Sequence, residues 1–314
     1  MNEASPPPAV SVVSPVYLAE ESIADLVRSI SQVLSRDFPH FEIVLVDDDS
    51  PDGSWPRIVA LASEDPRVRG VRLSRNFGQH AAITAGLAHA RGDLVIVMDC
   101  DLQDDPADIP TFIAKAAEGH EIVFGQRPKR EHPGWKNLTA GFFFLIFNLL
   151  TDASWKRASK DIGSYTLLTR KAVDAFLRVH DAQRHFLMIL RWLGFNQGYV
   201  TVTHRPRPRG RSAYTIPKLI RHALAGITAQ SNRLLYASVI AGLGYAFFAG
   251  VGIVWLVVQY LTRGSLEGWT SLAVILLSST GLILTAIGIL GIYLGNVFDQ
   301  VRNRPLYLVA QTVN

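Results

Sequence analysis

Two long stretches of this chain carry no charge at all, one between Arg233 and Arg263 and one between Glu267 and Asp299. They run for 29 and 31 residues, longer than the ~20 apolar residues with which a helix crosses ~30 Å of hydrocarbon. Buried core helices are the other solution. Each would then be apolar on all sides over its whole length, and the rest of the chain cannot coat such a hairpin. Two transmembrane helices are therefore expected, at 234–261 and 270–296. The short link between them holds one Arg and one Glu, whereas Arg233, Arg302 and Arg304 flank the pair on the outside. That bias places both outer flanks in the cytoplasm. The opening "MNEASPPPAVSVVSPV" has neither a basic segment nor a long apolar one, so no signal peptide is expected.

Before the membrane pair, residues 9–125 alternate apolar runs with amphipathic ones. "AVSVVSPV", "FEIVLVDD", "VRGVRLS", "GDLVIVMD" and "HEIVFGQR" read as strands. "ESIADLVRSISQVLSR", "SWPRIVALAS", "GQHAAITAGLAHAR" and "ADIPTFIAKAAEG" read as the helices between them. Strands without period-two alternation suit a parallel sheet covered on both faces, hence an open α/β fold. Ligands of such sheets bind off the carboxyl ends of the strands. Asp47, Asp48, Asp49, Asp99 and Asp101 all fall at that edge. The expected organisation is a tail over 1–8, a cytoplasmic α/β domain over 9–215, a juxtamembrane amphipathic helix over 216–233, the two spans, and a cytoplasmic tail over 297–314.

The segment "VIVMDCDLQDDP" buries well as far as Met98 and then turns acidic. Carboxylates so close together repel unless something positive or water lies among them. A phosphatase of the haloacid dehalogenase type ends a strand in D-x-D-x-[TV], but Gln103 stands at the Thr/Val position. A calcium loop would need the EF-hand spacing and its closing Glu, which are absent. The third reading is a D-x-D pair holding Mg²⁺ or Mn²⁺ on a nucleotide diphosphate, with the Gln103 oxygen as a further ligand. Capping of the helix that starts near Pro106 accounts for Asp104 or Asp105, but not for Asp99 or Asp101. Cys100, the single cysteine, is assigned no role.

Two segments point toward the bilayer. Leu138 to Leu150 is strongly apolar but too short to span, which fits an interfacial or re-entrant helix, with a buried core helix as the alternative. His204 to Arg233 holds seven Lys/Arg and no acid. Its first part reads as a loop. From Ile216 on, Ile216, Leu219, Ile220, Leu224 and Ile227 share one helical face, as expected of a basic helix lying along the cytoplasmic leaflet.

"IVLVDDDSPDGS", "LSRNFGQHAAITAGLAHARGDLVIVMDCDLQDDP" and "DIGSYTLLTRKAV" resemble, in order and spacing, the family 2 glycosyltransferases of GT-A fold. With an R-x-x-G-x-S-x-Y segment and two terminal spans, the chain is similar to the polyisoprenyl-phosphate glycosyltransferases, a group that includes dolichyl-phosphate mannose synthase and the bactoprenol glucosyltransferases. The resemblance runs from about Val10 to Leu308. It implies that Pro15, Tyr17, Glu21 and Asp48 hold the nucleoside, and that Asp99, Asp101 and Gln103 take the metal and diphosphate. It also implies that Arg127 and Arg207, with Arg205, Arg209, Ser212 and Tyr214, clamp phosphates, and that Asp161 lies near the sugar and the acceptor. Asp49 departs from the usual Gly of "VDDGS", and "GRSAY" from "GESKY".

What the resemblance implies is inverting transfer of a sugar from a nucleotide-sugar, uridine-linked by kinship, to a polyisoprenyl phosphate such as undecaprenyl phosphate. The partners would be those two substrates, membrane lipids and further copies of the chain, in a tetramer. The acceptor phosphate has a second pKa of about 6 and is largely anionic at neutral pH, so Asp161 is as readily a positioning group as a base. Other readings are a catalytically inactive lipid-phosphate-binding module and a processive polysaccharide synthase. Against the second, Met188 stands where a Q-x-x-R-W motif needs Gln. No nucleic-acid partner is expected: despite a pI of 9.2, the basic residues gather at the membrane edge.

Overall fold

The computed structural model describes residues 9–127, 162–181, 184–203, 233–263 and 268–314. The segment Leu138 to Leu150, the basic stretch from His204 to Asn232, and Asp161 lie outside the described residues.

All five expected strands and the four helices between them are present. β1 (Val10–Val16), β2 (Phe41–Asp47), β3 (Val68–Leu73), β4 (Leu94–Val97) and β5 (Ile122–Gln126) alternate with α1 (Glu20–Asp37), α2 (Ser54–Glu64), α3 (Gln79–His89) and α4 (Ile109–Ala117). Then come β6 (Ile162–Thr169), α5 (Arg170–Arg178), α6 (Phe186–Trp192) and β7 (Gln197–Thr201). α7 (Arg233–Arg263), α8 (Trp269–Val301) and β8 (Val309–Val313) follow. The sheet has eight strands in the order β7-β5-β6-β4-β1-β2-β3-β8. β4, β1, β2 and β3 are parallel neighbours, whereas β6 runs antiparallel to both β4 and β5. β8 closes the far edge antiparallel to β3. The sheet is thus mixed and mostly parallel, with helices on both faces, as in the GT-A fold.

The absence of alternation in the strands has the expected cause. Val10, Val12 and Val16 of β1 and Ile43 and Leu45 of β2 join one apolar core, beneath α1, α2 and α4. Val13 of β1 and Val44 and Val46 of β2 join a second, beneath α3, α5 and α6. Each strand face meets a helix, so apolar side chains are needed at every position. α1 shows the complementary pattern: Ile23, Leu26, Val27, Ile30 and Leu34 form a single buried stripe.

The chain divides into two compact units. The first combines the α/β residues with 304–314, and the second holds α7 and α8. Leu235–Thr262 and Ser278–Val301 are long and apolar enough to cross a membrane. Both helices extend past the expected spans of 234–261 and 270–296. The residues after them do not simply trail away, because β8 belongs to the sheet of the first unit. Its sequence, VAQTV, is short and mostly exposed and carries little periodic signal.

Candidate active site at the carboxyl edge of the sheet

The parallel strands β4, β1 and β2 end side by side, and their exit loops carry the acids. At the end of β2, Asp47 is fully buried. It closes its turn by accepting a hydrogen bond from the Ser50 amide (3.2 Å). Its other oxygen lies 3.5 Å from Arg72 Nε but receives no hydrogen bond. Burial pushes this carboxyl up to about 6, against the opposing pull of the Ser50 amide and Arg72. Asp49 adopts φ +52°, the left-handed conformation that its glycine-like place in the motif demands and that Asp tolerates. Arg72 Nη2 holds its carboxylate at 3.1 Å.

Asp48 reaches across to the start of α3. Its two oxygens accept hydrogen bonds from the Phe77 amide (2.7 Å) and the Gly78 amide (2.8 Å). Gly78 sits at φ +94°, which a side chain would strain. Burial still raises the Asp48 carboxyl, these two bonds opposing it.

At the end of β4, Asp99 Oδ1 accepts from the Gln79 side-chain amide at 2.7 Å. Burial raises its carboxyl and Asp101 acts in the same sense, while the Ser164 hydroxyl, Gln79 and the charge of Arg127 oppose them. Asp101 Oδ1 accepts from the Gln103 amide (3.1 Å), closing a turn through Leu102 at φ +61°. Ser22 of α1 donates to the Cys100 carbonyl (2.7 Å) and pins this loop. The Cys100 thiol itself is pushed up to about 12 by burial, which keeps it unreactive.

The two following acids separate. Asp105 caps the short 3-10 turn Pro106–Asp108 by accepting from the Ala107 amide. Asp104 turns inward and is 2% exposed, with Arg127 Nη2 3.9 Å from Oδ1 and Oδ2 without a hydrogen bond. Burial and then the charge of Asp99 drive it up to about 7, with Arg127 opposing. The motif alone leaves Asp104 and Asp105 interchangeable as caps, and the structure distinguishes them. Gly163 makes room here: a Cβ on it would lie 3.1 Å from Arg127 Nη2.

A cavity of about 300 Å³ opens at this edge, lined by Pro15, Tyr17, Asp48, Gln79, Asp99 and Asp101 among others. Of the residues singled out from sequence, these strand-end groups meet around one space. Tyr17, 47% exposed, presents its ring at the rim. Glu21 does not join them; it lies in the first turn of α1 beside Glu20, Ala24 and Arg57. Gln103 and Arg127 are also absent from the lining, although Arg127 adjoins it through Asp104 and Asp99. Asp161, Arg205, Arg207, Arg209, Ser212 and Tyr214 lie outside the described residues. The sequence points to Asp104 only as a possible cap and does not point to Gln79. The adjacency of Gln79 to "NFG" was the available signal for one, and the doubled acid before Pro106 for the other.

Among the described residues no three His, Cys, Asp or Glu side chains gather into a metal cage. His80 and His185 pack ring to ring at 4.4 Å and belong to no such set. Two carboxylates on an open cavity are nonetheless the donor set of a hard divalent cation that keeps substrate phosphates in its shell. The residues therefore fit Mg²⁺ or Mn²⁺ held jointly with a diphosphate.

The family model described as Glycosyl transferase family 2 matches residues 11–177. An uncharacterized glycosyltransferase, YkcC, of Bacillus subtilis (strain 168) is 33% identical over 96% of this chain and 93% of its own length. The undecaprenyl-phosphate 4-deoxy-4-formamido-L-arabinose transferase of Salmonella choleraesuis (strain SC-B67) is 33% identical over 100% of this chain and 96% of its own. Among solved structures, glucosyl-3-phosphoglycerate synthase from Mycobacterium tuberculosis with UDP is a distant likeness: 19% identity, 72% of this chain, 80% of that one, TM-score 0.49. With its α/β sheet, its acids at the carboxyl edge and relatives aligned along its whole length, the chain belongs to glycosyl transferase family 2 and is related to the polyisoprenyl-phosphate sugar transferases.

Proposed function

We propose that this chain passes a sugar, with inversion, from a nucleotide-diphosphate-sugar to a polyisoprenyl phosphate, making a lipid-linked sugar for cell-envelope glycans. The donor is uridine-linked and the acceptor undecaprenyl phosphate. The reaction belongs at the cytoplasmic face of a bacterial inner membrane, with α7 and α8 as the anchor. The observation that carries this reading is the pair Asp99 and Asp101 at the end of β4, opening on one cavity with Asp48. Two features support the lipid acceptor: a relative that is itself named for undecaprenyl phosphate, and two helices long and apolar enough to span a bilayer.

The roles follow from charge. Asp48, Pro15 and Tyr17 receive the nucleoside. Asp99 and Asp101 hold Mg²⁺ or Mn²⁺, with Gln103 as a further oxygen donor. When bound, the cation neutralises the charge that develops on the departing diphosphate. Arg127, kept near the acids by Asp104, faces the same charge, and its guanidinium matches phosphate oxygens in two-point geometry. Asp161 positions the sugar or the acceptor. The basic residues Arg205, Arg207 and Arg209, with Ser212 and Tyr214, gather the lipid phosphate. That phosphate is already anionic and attacks without an obligatory base.

The test uses purified full-length protein in detergent with Mg²⁺ or Mn²⁺, undecaprenyl phosphate and a panel of labelled nucleotide-sugars. Label should enter the organic phase from one donor and should not do so with Asp101→Ala. Full transfer in excess chelator would remove the metal role. No transfer from any donor, with folded protein, would favour a lipid-binding module without catalysis.

A further inference from the structure

The Asp99 carboxylate is held by two neutral donors, the Ser164 hydroxyl and the Gln79 side chain. Its Oδ1 accepts the Gln79 side-chain amide at 2.7 Å, and Gln79 lines the cavity together with Asp99 and Asp101. Gln79 lies outside the acidic motif, on a different element and twenty residues earlier. It is also the first residue of α3, directly after Phe77 and Gly78, whose amides are both held by Asp48. Three consecutive residues therefore bridge the ends of β2 and β4 across β1, which lies between them in the sheet. One end of the bridge grips the acid read as the nucleoside partner, and the other grips an acid read as a metal ligand.

We propose that Gln79 is a positioning residue that orients Asp99 for cation binding and ties it to the Asp48 loop; this rests on the metal reading above. A carboxylate beside a second carboxylate turns away from it when nothing holds it. A neutral amide donor fixes one oxygen without cancelling the charge a cation needs, and the Ser164 hydroxyl, the other neutral donor to Asp99, acts in the same way. Partners of this kind orient metal ligands and strengthen binding without touching the metal. Gln79 is exposed on the cavity side, so water competes for its hydrogen bond in the free protein. A nucleotide covering the cavity removes that competition and strengthens the bond. The contribution of Gln79 is therefore greater with nucleotide bound.

The experiment titrates Mn²⁺ into the full-length protein in detergent and follows free Mn²⁺ by electron paramagnetic resonance, with and without UDP. The variants are Gln79→Met, which keeps length and helix propensity but has no donor, Gln79→Ala, and Asp101→Asn as the ligand control. Both Gln79 variants should bind Mn²⁺ about tenfold more weakly in the presence of UDP, less so without it, at an unchanged melting temperature. In the transfer assay their demand for metal should rise, and their loss of activity should be larger at limiting than at saturating Mn²⁺. If the parent binds Mn²⁺, Asp101→Asn does not, and Gln79→Met binds like the parent, the inference fails while the metal reading stands. Loss confined to Gln79→Ala would assign the effect to packing and also overturn it. A parent that binds no Mn²⁺ with UDP would overturn both.

Discussion

Strand β2 carries a carboxylate near each end, and the fold treats them in opposite ways. Glu42, at the amino end, is 5% exposed and fully engaged. It accepts from the Ser11 hydroxyl (2.7 Å), the Arg91 amide (2.6 Å) and Arg69 Nη1 (3.0 Å). Ser11 in turn accepts from the Gly92 amide, and Arg69 donates to the His89 carbonyl and to the main-chain oxygen of Asn314. Asp47, at the carboxyl end, keeps one oxygen without a hydrogen bond and is raised to about 6. Asp104 on the next loop repeats the pattern, raised to about 7. The same sheet builds a closed polar network at one edge and leaves acids under strain at the other. The buried acid whose bonds are all made serves the fold, whereas Asp47 and Asp104, each with an oxygen short of a hydrogen bond, lie at the edge that carries the cavity.

That contrast can be broken from either side. The largest effect is expected at the open edge: Asp101→Ala should lower sugar transfer by at least about a hundredfold. Its circular dichroism and melting temperature should match the parent; an active Asp101→Ala protein would end the comparison. At the closed edge the consequences reverse. Glu42→Ala leaves Arg69 half-buried without its counter-charge and should cost about 3 kcal/mol in urea unfolding, while transfer per folded molecule stays unchanged. A stable Glu42→Ala protein would show the network to be ornamental.

The third prediction concerns pH and sharpens the difference. The folded Asp47 carboxyl titrates near 6, whereas its ordinary value is 3.8. Between these values the folded chain holds a proton that the unfolded chain has released. Stability conferred by that proton is full at the acid end of the window and is lost as pH rises toward 6. The loss is about 2 kcal/mol for this group, and Asp47→Asn should flatten the decline in melting temperature between those pH values. The smallest effect lies at β8. The Asn314 amide donates to the Ala62 and Val68 carbonyls (2.6 and 3.0 Å). Asn314→Ala should therefore lower stability by about 1 kcal/mol and leave transfer intact.

Much of this molecule is legible in its sequence, for identifiable reasons. The parallel strands announce themselves because burial on both faces demands unbroken apolar runs. α7 and α8 do so because uncharged runs of 29 and 31 residues are long and apolar enough to cross a membrane. The D-x-D pair stands out because acids directly after a buried strand need an explanation. β6, β7 and β8 carry weaker signals. IGSYTLLT is only half apolar, QGYVT is short, and VAQTV is mostly exposed, so pairing with distant strands rather than local pattern makes them strands.

Local pattern thus determined the apolar helices, the parallel core and the acidic edge, because each rests on periodicity or charge within a few neighbouring residues. Tertiary structure alone decided the rest. It chose Asp105 as the cap and turned Asp104 toward Arg127, placed Gln79 on Asp99, and brought Asn314 back to Arg69. Each of these contacts joins residues that chain order keeps apart, and a hydrogen bond or an ion pair depends on distance in space.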